Sequence, residues 1–76
     1  MIDRKVEEVV RRVFQLDDKR SLDDVAPGSI PQWDSLGHVS LIHAVEEEFG
    51  LKFSVDEIAT IDSIASLKEV VKSHVS

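Results

Sequence analysis

The chain has 76 residues, no cysteine and a formal net charge of −6. A chain this short forms one domain, here residues 1–76, and has no room for a deep catalytic cleft. The lack of cysteine excludes disulfides, thiolate nucleophiles and cysteine-ligated zinc, and the excess of acid argues against nucleic acid as a partner.

The first predicted helix covers residues 3–16. Apolar residues recur along it at helical spacing and would form one buried face: Ile2, Val6, Val9, Val10, Val13 and Phe14. Charged residues occupy the opposite face, and Asp3 stands where an N-cap residue is expected. We therefore expect an amphipathic helix whose charged face lies in solvent.

A long loop follows, from residue 17 to residue 33. Turn and breaker signals such as Pro27-Gly28 interrupt the helical pattern here. The spaced apolar residues Leu22, Val25 and Ile30 are predicted to pin the loop to the core. Loops of this length are uncommon in compact domains and are often functional.

The second helix is predicted over residues 35–49, with Asp34 as its N-cap and Gly50 as its terminator. Ser35 then occupies the first helical position. The predicted apolar face consists of Leu36, Val39, Leu41, Ile42, Val45 and Phe49. Glycine disfavours a helix by about 1 kcal/mol relative to alanine, so we interpret Gly37 as a residue that leaves the approach to the Ser35 hydroxyl open.

The remaining chain is predicted to contain two further helices. Residues 51–55 alternate in polarity, but one short strand is not stable alone, so we predict an extended loop. Ser54 and Glu57 have the capping-box spacing and open a short helix that ends near residue 61. A last helix begins near residue 64, with Ser63 or Ser66 as its cap. The predicted fold is all-α, a small four-helix bundle of three longer helices and one short helix.

Negative charge is concentrated in the middle of the chain. Residues 33–62 contain one base, Lys52, against seven acids, whereas residues 1–32 sum to −1 and residues 63–76 to +1. Such a field steers basic partners toward this segment. No apolar run approaches the roughly 18 residues of a membrane span, and no signal-peptide pattern is present. We therefore expect a soluble, cytoplasmic monomer.

Ser35 is the strongest candidate for a functional residue, as a site of covalent attachment. Serine at a helix start is usually a cap, but Asp34 takes that role here. The free N–H groups of a helix N-terminus would stabilise an attached phosphate. A hydrolase site made of Ser35, His38 and Asp34 is rejected, because consecutive residues on one exposed turn provide neither an oriented base nor an oxyanion hole.

The second helix also carries residues that suit a metal ion or a protein partner. His43, Glu46 and Glu47 share one helix face, but they lack partner ligands elsewhere, so a solvated polar surface is favoured over a metal site. Together with the charge distribution, this face is a candidate docking surface. Trp33, the only tryptophan, is predicted to pack in the core.

These features together resemble the acyl carrier protein family over nearly the whole chain. The likeness rests on the tripeptide Asp34-Ser35-Leu36 at a junction between a long loop and a helix that ends in Glu46-Glu47-Glu48-Phe49-Gly50. It implies that Ser35 Oγ carries 4′-phosphopantetheine, derived from coenzyme A and attached by a separate phosphopantetheinyl transferase. The thiol of that arm would hold acyl intermediates as thioesters, and the protein itself would have no catalytic site.

The resemblance also implies which residues meet partners and which line the interior. Leu36, Val39, His43, Glu46 and Glu47 would contact acyl-activating, synthase or acyltransferase enzymes with basic docking surfaces. Leu41, Val45, Phe49, Ile58 and Ile61 would line the interior. The segment Gly37-His38-Val39-Ser40 is less acidic than in housekeeping fatty-acid carriers, which indicates a specialised stand-alone carrier of a lipid, fatty-acid or polyketide-like pathway. The alternatives are an aminoacyl or peptidyl carrier of a nonribosomal system and an unmodified acidic adaptor.

Overall fold

A computed structural model describes residues 2–22 and 24–75, and within them the chain forms four α-helices and no strand. α1 spans Ile2–Phe14, α2 spans Ser35–Phe49, α3 spans Val55–Thr60 and α4 spans Ile64–Val75. The predicted all-α architecture is confirmed, including the extended, unpaired segment before α3. Among the described residues, no helix is long and apolar enough to cross a bilayer.

The core is built around α1, which packs against α2 and α4. The apolar face of α1 buries Val6, Val9, Val10 and Phe14, because these residues recur every three or four positions. The other buried side chains are Leu22, Val25, Ile30, Trp33, Leu41, Ile42, Val45, Phe53, Ile61, Ile64, Leu67 and Val71. The three residues predicted to anchor the long loop are among them, so this loop is fixed to the bundle.

Both ends of α1 differ from the prediction. The helix already includes Ile2, so the prediction of Asp3 as its N-cap is wrong; Asp3 lies in the first turn and its carboxylate pairs with Lys72 on α4 at 3.0 Å. At the other end the helix stops at Phe14, because Gln15 adopts a left-handed conformation with φ of 56°. Glycine is the usual residue in that conformation, and glutamine gives no such signal in the sequence.

The boundaries of α2 agree with the prediction, whereas its apolar face is narrower. Gly50 ends the helix in a left-handed conformation, with φ of 64°. Leu36 and Val39, which the sequence places on the apolar face, are 79% and 56% exposed. Of the residues that the family resemblance places in the interior, Leu41, Val45 and Ile61 are buried, and Phe49 and Ile58 are partly buried.

α3 and α4 both begin with a serine cap. Ser54 and Glu57 form the predicted capping box at the start of α3. At α4, Ser63 Oγ accepts the Ser66 N–H and Ser66 Oγ accepts the Ser63 N–H, so the two serines considered as alternatives act together. No residue of α3 is fully buried. This helix therefore depends more than the others on polar contacts for its position.

Candidate functional site

Ser35 is the first residue of α2 and is exposed to solvent. Asp34 caps the helix as predicted, because its Oδ1 accepts the Gly37 N–H at 2.8 Å. Within the described residues, the Ser35 hydroxyl and the N–H groups of Ser35 and Leu36 have no hydrogen-bond partner. The fold therefore leaves this hydroxyl unused and accessible.

Gly37 allows the preceding loop to close over the first turn of α2. A Cβ atom on Gly37 would overlap the Gln32 carbonyl oxygen, and would lie 3.0 Å from its carbonyl carbon and 3.3 Å from Asp34 Oδ1. Gln32 in turn donates from Nε2 to the Phe14 carbonyl at 3.2 Å, which ties the loop to the end of α1. The glycine is thus required by a backbone contact that the sequence did not predict, and the open approach to Ser35 stays a prediction.

Trp33 lies in the core directly before the cap, as predicted. It is 1% exposed, and its ring centroid lies 5.4 Å from that of Phe14 on α1. A buried indole needs an acceptor for its N–H, and here the Trp33 Nε1–H donates to His38 Nδ1 at 2.9 Å. The indole therefore fills the space beneath the start of α2.

His38 connects Trp33 to α3. Its Nε2 lies 3.1 Å from the Ile58 carbonyl oxygen, while its Nδ1 receives the indole N–H. Both ring nitrogens are thus in use, which removes His38 as a base for Ser35. Sequence reasoning considered His38 only as a catalytic base and missed this role; the need of a buried tryptophan for an acceptor was the signal that could have revealed it.

An open, largely apolar depression of about 760 Å³ lies beside Ser35. Its walls come from the loop before α2, the first turn of α2, α3 and the segment after α3: Pro27, Gly28, Trp33, Asp34, Ser35, His38, Val55, Ile58, Ala59, Ile61 and Asp62. Val55, at its edge, is 81% exposed. A group attached to the Ser35 hydroxyl would have this apolar surface within reach.

The residues predicted to contact partners do not all lie free on the surface. Leu36, Val39, His43 and Glu47 are exposed along α2. The Glu46 carboxylate instead accepts the Phe53 N–H at 2.8 Å, which fixes the segment before α3. No metal-binding group of three or more His, Asp or Glu residues occurs in the described part of the chain.

The carboxylate of Glu57 joins α3 to α4. His74 Nε2 lies 3.0 Å from Glu57 Oε1 and 2.9 Å from Oε2. The pKa of Glu57 is lowered, first by the hydrogen bond from the Ser54 N–H and then by the bond from His74. Both contacts favour the charged carboxylate, so the start of α3 is held by an ionised group.

The comparison with known proteins agrees with this arrangement. The family model described as phosphopantetheine attachment site matches residues 33–71, just over half of the chain, from Trp33 into α4. No curated protein and no solved structure matches the chain significantly. Carrier proteins of this family bear covalent 4′-phosphopantetheine and interact with a phosphopantetheinyl transferase and with enzymes of their pathway. The chain, predicted from its own residues to resemble these proteins, therefore belongs to the family of phosphopantetheine-carrying carrier proteins.

Proposed function

We propose that Ser35 carries the 4′-phosphopantetheine and that the chain serves as an acyl carrier. The main support is the free, exposed hydroxyl of Ser35 at the first position of α2, within the segment that the family model matches. The unpaired N–H groups of Ser35 and Leu36 suit the oxygens of a phosphate. The arm supplies a terminal thiol, and hence thioester chemistry, to a sequence without cysteine.

Attachment is the task of a separate transferase. Ser35 Oγ forms the new bond to phosphorus, the pyrophosphate linkage of coenzyme A breaks, 3′,5′-ADP leaves, and the hydroxyl proton passes to a base of the transferase. His38, one turn away, has both nitrogens engaged with Trp33 and Ile58. This supports a carrier that has no catalytic activity of its own.

The proposed docking surface comprises Leu36, Val39, His43 and Glu47, which are exposed on α2. It places two apolar side chains close to Ser35 and an acidic residue further along the helix. A partner with an apolar pocket and a basic rim would complement this order. Glu46 shares the face, but its bond to the Phe53 N–H gives it a structural role as well.

The proposed carrier domain is residues 1–76. The family model matches residues 33–71, yet α1, outside this match, supplies Val6, Val9 and Val10 to the same core. For the cargo we favour an acyl group of a dedicated lipid, fatty-acid or polyketide-like pathway over an amino acid. Offering the loaded arm to acyl-activating and to amino-acid-activating enzymes distinguishes the two.

Intact-mass measurement after incubation with coenzyme A and a phosphopantetheinyl transferase tests the attachment. We expect the wild-type chain and the Ser40→Ala variant, which changes another exposed serine of α2, to gain the mass of one phosphopantetheine. Ser35→Ala should gain none. Modification of Ser35→Ala, or no modification of the wild type, would contradict the proposal; the second result would favour an unmodified adaptor.

A further inference from the structure

His38 lies between Trp33 and α3 and makes a hydrogen bond to each. Its Nδ1 is 2.9 Å from the indole nitrogen, and its Nε2 is 3.1 Å from the Ile58 carbonyl oxygen. An indole N–H can only donate and a carbonyl oxygen can only accept. The Nδ1 atom is therefore unprotonated and Nε2 carries the proton. Only the neutral imidazole, in this one tautomer, makes both bonds.

α3 is the element that depends on these bonds. It has six residues, none of them fully buried. Among the described residues, two histidine side chains link it to the longer helices: His74 of α4 binds Glu57, and His38 of α2 binds the Ile58 carbonyl. α3 also forms one wall of the depression beside Ser35. The position of this wall is thus set in part by His38.

We propose that neutral His38 is a positioning residue whose two hydrogen bonds hold α3 against Trp33. We call this pair of hydrogen bonds the latch. It separates the depression beside Ser35 from the helix core. Trp33 fills the space beneath Ser35, since it is 1% exposed and packs on Phe14. In the latched form, cargo carried on Ser35 stays in the open depression and outside the core. This consequence for cargo rests on the proposed function, whereas the latch does not.

Removing the ring nitrogens of residue 38 opens the latch. Without them, the buried indole N–H of Trp33 and the Ile58 carbonyl oxygen lose their partners. The bond between His74 and Glu57 does not involve His38, so α3 stays attached to α4 while its contact to α2 is lost.

Trp33 reports the state of the latch in the unmodified protein. It is the only tryptophan, and the chain has no tyrosine. In His38→Leu, whose side chain can neither accept the indole N–H nor donate to Ile58, we expect the indole N–H to exchange with water about fivefold faster at pH 7.5, as expected for the loss of one ordinary hydrogen bond.

His43→Leu is the matched control, because His43 is exposed on the same helix. In this variant the indole N–H should exchange at the wild-type rate. A wild-type exchange rate in His38→Leu would overturn the latch. The nitrogen NMR signals of the His38 ring test the same bonds in the wild type, with no variant to fold: Nε2 should carry the proton at pH 7.5, and a proton on Nδ1 would overturn the latch.

The consequence for cargo is tested on the modified protein, loaded with a butyryl or a dodecanoyl arm. At pH 7.5 we expect the core methyl signals of Leu41 and Val45 to be the same for both arms in the wild type. In His38→Leu the dodecanoyl arm should shift them. A shift caused by the dodecanoyl arm in the wild type would contradict the exclusion of cargo. Failure to load Ser35 would instead refute the proposed function and leave the exchange test valid.

Discussion

Replacing Gly37 with alanine separates two opposite expectations about α2. On helix propensity alone, Gly37→Ala should stabilise the protein by about 1 kcal/mol. In the structure, however, the new Cβ would overlap the Gln32 carbonyl oxygen and lie 3.0 Å from the carbonyl carbon. The obstacle is backbone, so the loop or the helix must shift. Overpacking of this kind destabilises by about 1–3 kcal/mol.

We place Gly37→Ala at the upper end of that range, because a peptide group moves less readily than a side chain. With the gain in propensity subtracted, the net loss is about 2 kcal/mol. For a chain of this size that corresponds to a fall in Tm of roughly 8–16 °C. Urea unfolding followed by Trp33 fluorescence measures the loss directly, since Trp33 is the only tryptophan.

Ser40→Ala serves as the control, because Ser40 is an exposed residue of the same helix. Its unfolding free energy should change by no more than about 0.5 kcal/mol. If Gly37→Ala were as stable as the wild type, or more stable, the close approach of Gln32 to α2 would be refuted.

Three further predictions concern the cap, the acidic face and α3. Asp34→Ala should lower the free energy of unfolding by about 1 kcal/mol, because the Gly37 N–H loses its acceptor. Ser35→Ala should change the free energy of unfolding by less than about 0.5 kcal/mol. Thermal unfolding of the two variants and the wild type measures both effects. Glu47→Lys should slow turnover by the transferase about fivefold at low ionic strength, and added salt should abolish this difference. Equal rates for the variant and the wild type at low ionic strength would contradict a docking role for Glu47. Folding lowers the pKa of Glu57, so the carboxylate stabilises the fold above its ordinary pKa of 4.5, and this contribution is lost as the pH falls through the lower folded pKa. Glu57→Gln should therefore make the urea midpoint of unfolding less dependent on pH between about pH 5 and pH 3. The same pH dependence in the variant and the wild type would contradict this.

The features that sequence patterns predicted well are local ones. Asp34 and Gly50 bound α2 as expected, and Ser54 with Glu57 forms the expected capping box. In each case the residues that interact lie within four positions of each other, so their spacing carries the information. The periodic apolar residues of α1 identified its buried face for the same reason.

The features that escaped prediction depend on contacts between distant segments. His38 meets Ile58, twenty residues further along, and Glu46 meets the Phe53 N–H across the turn that follows α2. Neither contact has a characteristic spacing, and both exist only once α3 has folded back beside α2. The contact that requires Gly37 escaped prediction likewise, because its neighbour is a backbone carbonyl of a loop whose path the sequence does not reveal.

The central claim is that Ser35 bears the phosphopantetheine. Tandem mass spectrometry of peptides from the modified protein locates the added group most directly. We expect it on the peptide that contains Asp34-Ser35-Leu36, with fragment ions that place it on Ser35. Its location on another serine, such as Ser29 or Ser40, would contradict the claim.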